Sequence, residues 1–280
     1  MSATILEGLA VAEAISEDVM GRVTALAAQG VTPCLGILRV GERPDDLSYE
    51  RGACKRAEVT GIAVRHLVFD EGVTTEELVE AVEAINADDS VHGLLILRPL
   101  PDEERVCNAL VAYKDVDACG ERSLGTLFTG ADGAFAPCTA QACIEILDHY
   151  GIEIAGRRAL VIGRSLVIGK PLSMLLLERN ATVTIAHSRT ADLEEHAREA
   201  DIIVACAGHA AMVGANHVAP GQTLIDVGIN VADDGSLVGD IAFDEVVDVV
   251  DAVTPVPRGV GSVTTCVLCK HVVQAAEMMM

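Results

Sequence analysis

The segment GRSLVIGKP, residues 163–171, follows the apolar run ALVI and opens a helical pattern. A glycine turn from strand to helix lets backbone N–H groups and a helix N-terminus approach a pyrophosphate, so Gly163, Ser165 and Gly169 mark a candidate phosphate loop. The common dinucleotide fingerprint has its second glycine where Ser165 stands and its third within 166–168. Taken alone, the segment therefore also fits an ordinary glycine turn. The tip of the next strand adds to it. An NAD site places an acid about 20 residues on to receive the ribose hydroxyls, whereas TVTIA is followed here by His187, Ser188, Arg189 and Thr190. Arg164, Ser188 and Arg189 together suit a ribose 2′-phosphate, which points to NADP over NAD. The plainer alternative makes both arginines solvated surface residues.

Metal and disulfide chemistry find little support. Nine cysteines are scattered from Cys34 to Cys269, an odd number without framework spacing, which suits a reducing cytoplasm and small core residues. Cys266 and Cys269 lack a second ligand pair, and the eight histidines form no helical ligand pair with a carboxylate, so no metal site is expected. With 42 acidic against 20 basic residues, the net charge of -22 excludes nucleic acid and anionic membrane as principal partners. No basic start precedes the first apolar segment and no apolar run approaches a membrane span, so a soluble, unprocessed protein is expected.

The elements that must position these residues are of the α/β class. A chain of 280 residues, half of them hydrophobic and almost none aromatic, allows one large or two modest aliphatic cores. Helical periodicity covers residues 5–26, 47–60, 74–87 and 139–150, and strand patterns cover 32–40, 63–69 and 91–97. Residues 120–137, with four glycines and no clear period, read as a connecting loop at a domain boundary. A doubly wound pattern follows: strands 159–162, 182–186, 202–205 and 223–227, with helices 171–179 and 193–200. A last helix, 264–276, packs back on the first domain. The expected division is an N-terminal domain of 1–139 plus 264–280 and a Rossmann-type parallel-sheet domain of 140–263.

Taken in order, SY at Ser48 and Tyr49, GLLILRPLP from Gly93, KDVDA from Lys114, PCT from Pro137, the phosphate loop, ATVTIAHSRT from Ala181, IDVGIN from Ile225, GD at Gly239 and TPVPRGVGSVT from Thr254 span nearly the whole chain. This ordered set resembles the bifunctional methylenetetrahydrofolate dehydrogenase/cyclohydrolase family of one-carbon metabolism. The resemblance implies a folate-handling domain and an NADP domain with a cleft between them, in a homodimer. Two activities are implied: hydride transfer from 5,10-methylenetetrahydrofolate, and hydrolysis of the methenyl product to 10-formyltetrahydrofolate. It also implies catalytic roles for Tyr49, beside the folate ring, and Asp117, bonded to the pterin. Leu97, Pro99 and Arg258 fall at substrate-binding positions, and Ile229 joins Gly163, Arg164, Ser165, Gly169, Ser188 and Arg189 around the cofactor. A carboxylate at 117 can accept paired N–H bonds from an aminopyrimidine. Without the resemblance, Asp117 reads as a turn residue and Tyr49 as core.

The pattern breaks at two places. The family's lysine, four residues after the tyrosine, is Ala53 here, and its glutamine partner is Leu97. At about 100° per residue, Lys55 lies roughly 240° from Tyr49 on a helix. Arg56 returns to the Tyr49 face, but a guanidinium stays protonated near neutral pH. Lesser departures are Ala118, Ala140, Arg258 and Ser262. Hydride loss needs chiefly alignment, whereas hydrolysis needs a group that moves protons, and losing it costs ~10²–10⁴-fold. The expectation is a dehydrogenase with weak or absent cyclohydrolase activity. A fully bifunctional enzyme rebuilt from other residues and a non-catalytic folate- or NADP-binding paralogue are the alternatives. Because both ligands are anions, Arg56, Arg98, Arg164, Arg189 and Arg258 are expected near the cleft.

Overall fold

A computed structural model describes residues 2–232 and 234–280. In chain order the elements are β1 (Thr4–Ile5), α1 (Gly8–Ala27), β2 (Cys34–Val40), α2 (Pro44–Thr60), β3 (Ala63–Phe69), α3 (Thr75–Asn86), β4 (Gly93–Ile96), α4 (Glu103–Ala109), α5 (Glu121–Thr129) and α6 (Cys138–His149). They continue with β5 (Arg158–Ile162), α7 (Gly169–Glu178), β6 (Thr182–Ala186), α8 (Leu193–Glu199), β7 (Ile202–Ala205), β8 (Thr223–Asp226), β9 (Asn230–Val231), β10 (Leu237–Val238), α9 (Phe243–Val246), β11 (Ala252–Val253) and α10 (Thr264–Met278). The chain forms two compact units, residues 13–138 with 265–280, and the residues up to 12 with 139–264.

The first unit is built on a parallel sheet of order β3-β2-β4. Central β2 is buried along nearly its whole length, whereas edge β3 alternates, as its sequence does. Helix α2 starts earlier than the periodicity suggested. Pro44 stands in its first turn with Asp45 and Asp46 beside it, which suits free N–H groups and the helix dipole, and it stops at left-handed Gly61 (φ 78°). Thr74 and Glu77 close a capping box on α3, with Glu77 N–H donating to Thr74 Oγ1 at 3.2 Å. Leu38, Leu78, Val82, Leu94 and Val106 form the apolar core beneath.

Residues 120–137 are not all loop, because α5 occupies part of them. Gly120 and Gly130 are its two boundaries rather than breaks, Gly130 taking the left-handed C-cap (φ 65°), and only Gly125 lies inside. Buried Ser123 pins the helix, its Oγ donating to Asp115 Oδ2 at 2.6 Å.

The second unit carries a six-stranded, wholly parallel sheet of order β1-β11-β8-β7-β5-β6. The start of the chain departs from expectation. The helix expected from residue 5 does not start there, and the first twelve residues do not belong with the N-terminal domain. Thr4 and Ile5 pair with Ala252 and Val253 as an edge strand, and α1 begins only at Gly8, whose N–H donates to the Arg258 carbonyl at 2.8 Å. A side chain at residue 8 would strike the Gly259 backbone, so glycine there permits the approach. Among the described residues no helix is long and apolar enough to cross a membrane, and no cluster of side chains could hold a metal ion.

Candidate active site

In the first unit, Tyr49, Asp117, Cys138 and Cys269 are neighbours although widely separated in sequence. Tyr49 lies on α2 and is half-buried; burial, then the Asp117 charge, pushes its phenol well above the ordinary value, so it remains a neutral donor. The Asp117 carboxylate accepts from the Cys138 N–H at 2.8 Å, where α6 begins. That end of a helix favours negative charge. Burial raises the Asp117 carboxyl, opposed by the bond from Cys138 and by the Arg98 cation. Cys138 is itself fixed: its Sγ lies 3.3 Å from the Val116 carbonyl, and His271 Nδ1 lies 2.8 Å from that oxygen and stacks on Phe135.

Leu97 and Pro99 follow β4. Leu97 is buried, with its N–H on the Leu38 carbonyl at 2.9 Å, and Pro99 is exposed. Between them, Arg98 reaches Glu103 at 3.3 Å; burial opposes its charge, and Asp117 and Glu103 outweigh burial and keep it ionised.

In the second unit, β5 runs into Gly163 and α7 starts at Gly169. Gly163 has φ 144°, and a Cβ there would lie 2.5 Å from the Cys206 carbonyl oxygen; one on Gly169 would strike the Gly163 backbone. Both positions therefore require glycine to make the turn. Ser165 Oγ accepts from the Ile168 N–H at 3.1 Å, and Arg164 and Ser165 are exposed. Among the described residues the N–H groups of 164–167 have no protein acceptor, which leaves an open set of donors ahead of a helix N-terminus. This donor set fits a nucleotide phosphate.

Strand pairing Ile162↔Ala186 sets this loop beside the tip of β6, where Ser188 and Arg189 are exposed and the Arg189 N–H donates to His187 Nδ1 at 3.2 Å. The chain reverses direction across the sheet here, with β6 on one side of β5 and β7 on the other, the position at which open α/β sheets bind ligands. Ile229 is exposed after β8, and Arg258 is exposed with φ 78°. Among the described residues Arg164, Arg189 and Arg258 form no ion pair.

The catalytic-domain model of the tetrahydrofolate dehydrogenase/cyclohydrolase family matches residues 6–117, and the model of its NAD(P)-binding domain matches residues 137–280. The chain belongs to this family. A relative from Desulfitobacterium hafniense (strain Y51), named bifunctional protein FolD 1, is 48% identical over 276 residues, covering 98% of each chain. The crystal structure of the bifunctional FolD methylenetetrahydrofolate dehydrogenase/cyclohydrolase from Campylobacter jejuni superposes with TM-score 0.97 at 34% identity, covering 100% of both chains. That of the Trypanosoma brucei dehydrogenase-cyclohydrolase, complexed with NADP cofactor and inhibitor, gives 0.93 at 33%, covering 99% of this chain and 98% of that one.

The two positions expected to break the family pattern are buried. Ala53 is 0% exposed and its methyl group carries no proton, and Leu97 is equally apolar. Of the nearby cations, Lys55 is exposed, and Arg56 donates to Ser16 Oγ at 3.1 Å. Arg98 is the cation that acts on Asp117. The five candidate arginines divide between the units, Arg56 and Arg98 in one and Arg164, Arg189 and Arg258 in the other.

Sequence reasoning missed four supporting residues. Cys138 matters through its backbone N–H, which residue type does not reveal. Lys114 of KDVDA is wholly buried and donates to the carbonyls of Ile85, Asn86 and Asp88 at 2.8, 3.2 and 2.8 Å, closing the C-terminus of α3. Asp226 and Asp240, from IDVGIN and GD, hold the backbone around Ile229: Asp226 Oδ1 accepts from the Gly228 N–H at 3.0 Å and the Asp240 N–H at 2.9 Å, and Asp240 Oδ1 accepts from Asn230 at 3.0 Å. Paired acids in glycine-rich segments were the available signal.

Proposed function

We propose that this chain is an NADP-dependent 5,10-methylenetetrahydrofolate dehydrogenase whose methenyltetrahydrofolate cyclohydrolase activity is weak or lost. Family membership, the open donors at 164–167 and the exposed Arg164 and Arg189 support the NADP-dependent half. The observation that carries the second half is Ala53, buried beside the Tyr49 face of α2 with apolar Leu97 at the partner position.

Bound NADP supplies the hydride acceptor. The chain's own residues bind and orient: Asp117, anchored by the Cys138 N–H, accepts N–H bonds from the aminopyrimidine, and neutral Tyr49 packs against the ring. Orientation suffices for hydride loss, because the adjacent nitrogen lone pairs of the substrate expel it. Hydrolysis differs, since a water must lose a proton and a leaving nitrogen must gain one. Neither Ala53 nor Leu97 can do either.

The relatives named bifunctional, 42–48% identical, favour the alternative in which both activities persist. Following NADPH formation and methenyl decay in one purified sample separates the two. The expected result is a hydrolysis rate at least about 100-fold below that of dehydrogenation; comparable rates would establish the bifunctional enzyme. The assembly expected is a homodimer, to be read by sedimentation velocity.

A further inference from the structure

His92 stands just ahead of β4 and is 5% exposed. Its Nδ1 accepts from the Cys34 N–H at 3.1 Å, and its own backbone N–H donates to the Cys34 carbonyl at 2.9 Å, which joins the starts of β4 and β2. A ring nitrogen that accepts carries no proton, so the imidazole holds its proton on Nε2. Burial, then the Lys114 cation, lowers the imidazole, with Asp88 and Asp89 opposing, and the ring stays neutral. Among the described residues Nε2 has no partner, yet no buried side-chain nitrogen or oxygen is left unsatisfied. Nε2 therefore opens onto the space that His92 lines.

That space is a cavity of about 680 Å³, within the roughly 300–1,000 Å³ of small-molecule sites. It lies wholly in the first unit, at the opposite end of β4 from Leu97, and includes none of Tyr49, Asp117 and Cys138. Val31, Ala276 and Met279 supply apolar wall, and Tyr113, 40% exposed, supplies a ring. Asp89 adds an exposed carboxylate. Two of these groups are held together from behind: the Lys114 ammonium, donating to the Asp88 carbonyl at 2.8 Å, ties the turn 112–114 that bears Tyr113 to the turn that bears Asp89. The Asp88 carboxylate is engaged by Arg65 and by the Ser90 N–H at 2.9 Å. By contrast, Asp89 and the Tyr113 hydroxyl have no hydrogen-bond or ion-pair partner among the described residues.

The chemistry of the lining selects a ligand class. The buried Nε2–H calls for an acceptor, and the unpaired carboxylate calls for a donor. An anion would meet Asp89 without compensation, because the Lys114 ammonium is already spent on three carbonyls. A phenol ring and a methionine sulfur favour a flat aromatic body. We propose that this cavity is a second ligand site, for the base of a neutral nucleoside, with a ring nitrogen accepting from His92 Nε2–H, an exocyclic amine donating to Asp89 and the ring packed on Tyr113. The site is independent of the phosphate loop, which lies in the other unit.

The experiment titrates adenosine into the full chain by calorimetry at saturating NADP, which occupies the phosphate-loop site. Adenosine should bind at one site with a Kd below about 1 mM. Purine riboside, which lacks the amine, should bind at least about tenfold more weakly, and so should adenosine to Asp89→Ala and to Tyr113→Ala. Both side chains are exposed and unbonded, so the circular dichroism and the rate of NADPH formation should match wild type. In ¹⁵N spectra of the imidazoles, His92 should carry its proton on Nε2 and shift on adding adenosine. Absence of binding, or binding that both variants leave unchanged, overturns the site. Equal affinity for purine riboside and adenosine overturns the pairing of the amine with Asp89, and a proton on His92 Nδ1 overturns the donor assigned to Nε2. Because the variants assign the heat to this cavity, failure of the dehydrogenase reading, seen as no NADPH formation by wild type, leaves the test of the site intact.

Discussion

Replacing Asp226 by Asn should change how stability depends on pH, by an amount that follows from its surroundings. Asp226 is 4% exposed at the end of β8, and its carboxylate accepts the N–H groups of Gly228, Asp240 and Ile241 at 3.0, 2.9 and 3.0 Å. Burial nonetheless pushes its carboxyl up from 3.8 to about 6, with the three N–H bonds opposing and Asp240 adding to the rise. At about 1.4 kcal/mol per pH unit, that difference amounts to about 3 kcal/mol. The folded state binds this proton more tightly than the unfolded chain does. The stability it confers is therefore complete below pH 3.8 and is lost as pH rises through about 6. Other carboxylates, such as Asp201 and Glu76, are lowered by arginine partners and pull the opposite way, so the wild-type curve alone is not diagnostic. The difference between wild type and Asp226→Asn isolates the group. The amide sets an N–H₂ against the Ile241 N–H, a pH-independent cost of about 1–3 kcal/mol. Urea unfolding followed by circular dichroism at pH 4, 5, 6 and 7 should show the advantage of wild type over the variant shrinking by about 2 kcal/mol between pH 4 and 7, most of the full difference. Parallel curves would refute the assignment of a raised carboxyl to Asp226.

Gly163→Ala should cost about 3 kcal/mol or more, because φ is 144° and the new methyl group meets a backbone oxygen of Cys206 that cannot yield; thermal denaturation and the NADP KM should both register it. Lys114→Met removes a buried cation from three carbonyls at the end of α3 and should lower stability by about 3 kcal/mol, visible as a reduced urea midpoint. Asp117→Asn keeps an oxygen for the Cys138 N–H but loses the charge. Its folate KM should rise about 10- to 100-fold, the worth of a charge-assisted bond, with the NADP KM unchanged.

What the sequence discloses about this molecule depends on the range over which each feature is determined. Strands β3, β6 and β7 and the turn at Gly163 are local, fixed by alternation, apolar runs and glycine, and they stand where periodicity placed them. β1 is different, because Thr4 pairs with Ala252 and no nearby residue announces that partner. The same holds for Lys114, whose acceptors lie 26 to 29 residues away, and for the meeting of Tyr49 with Asp117 and Cys138. In α5, glycines that punctuate a loop elsewhere serve as helix boundaries, because Ser123 bonded to Asp115 gives the intervening turns a buried anchor. The candidate site divides along the same line. An alanine at 53 carries no titratable proton wherever the fold places it, so that much of the position's chemistry is legible from the sequence alone. The effect of Arg98 is not, since a cation matters only through what it faces. It took the fold to set it between Glu103 and Asp117.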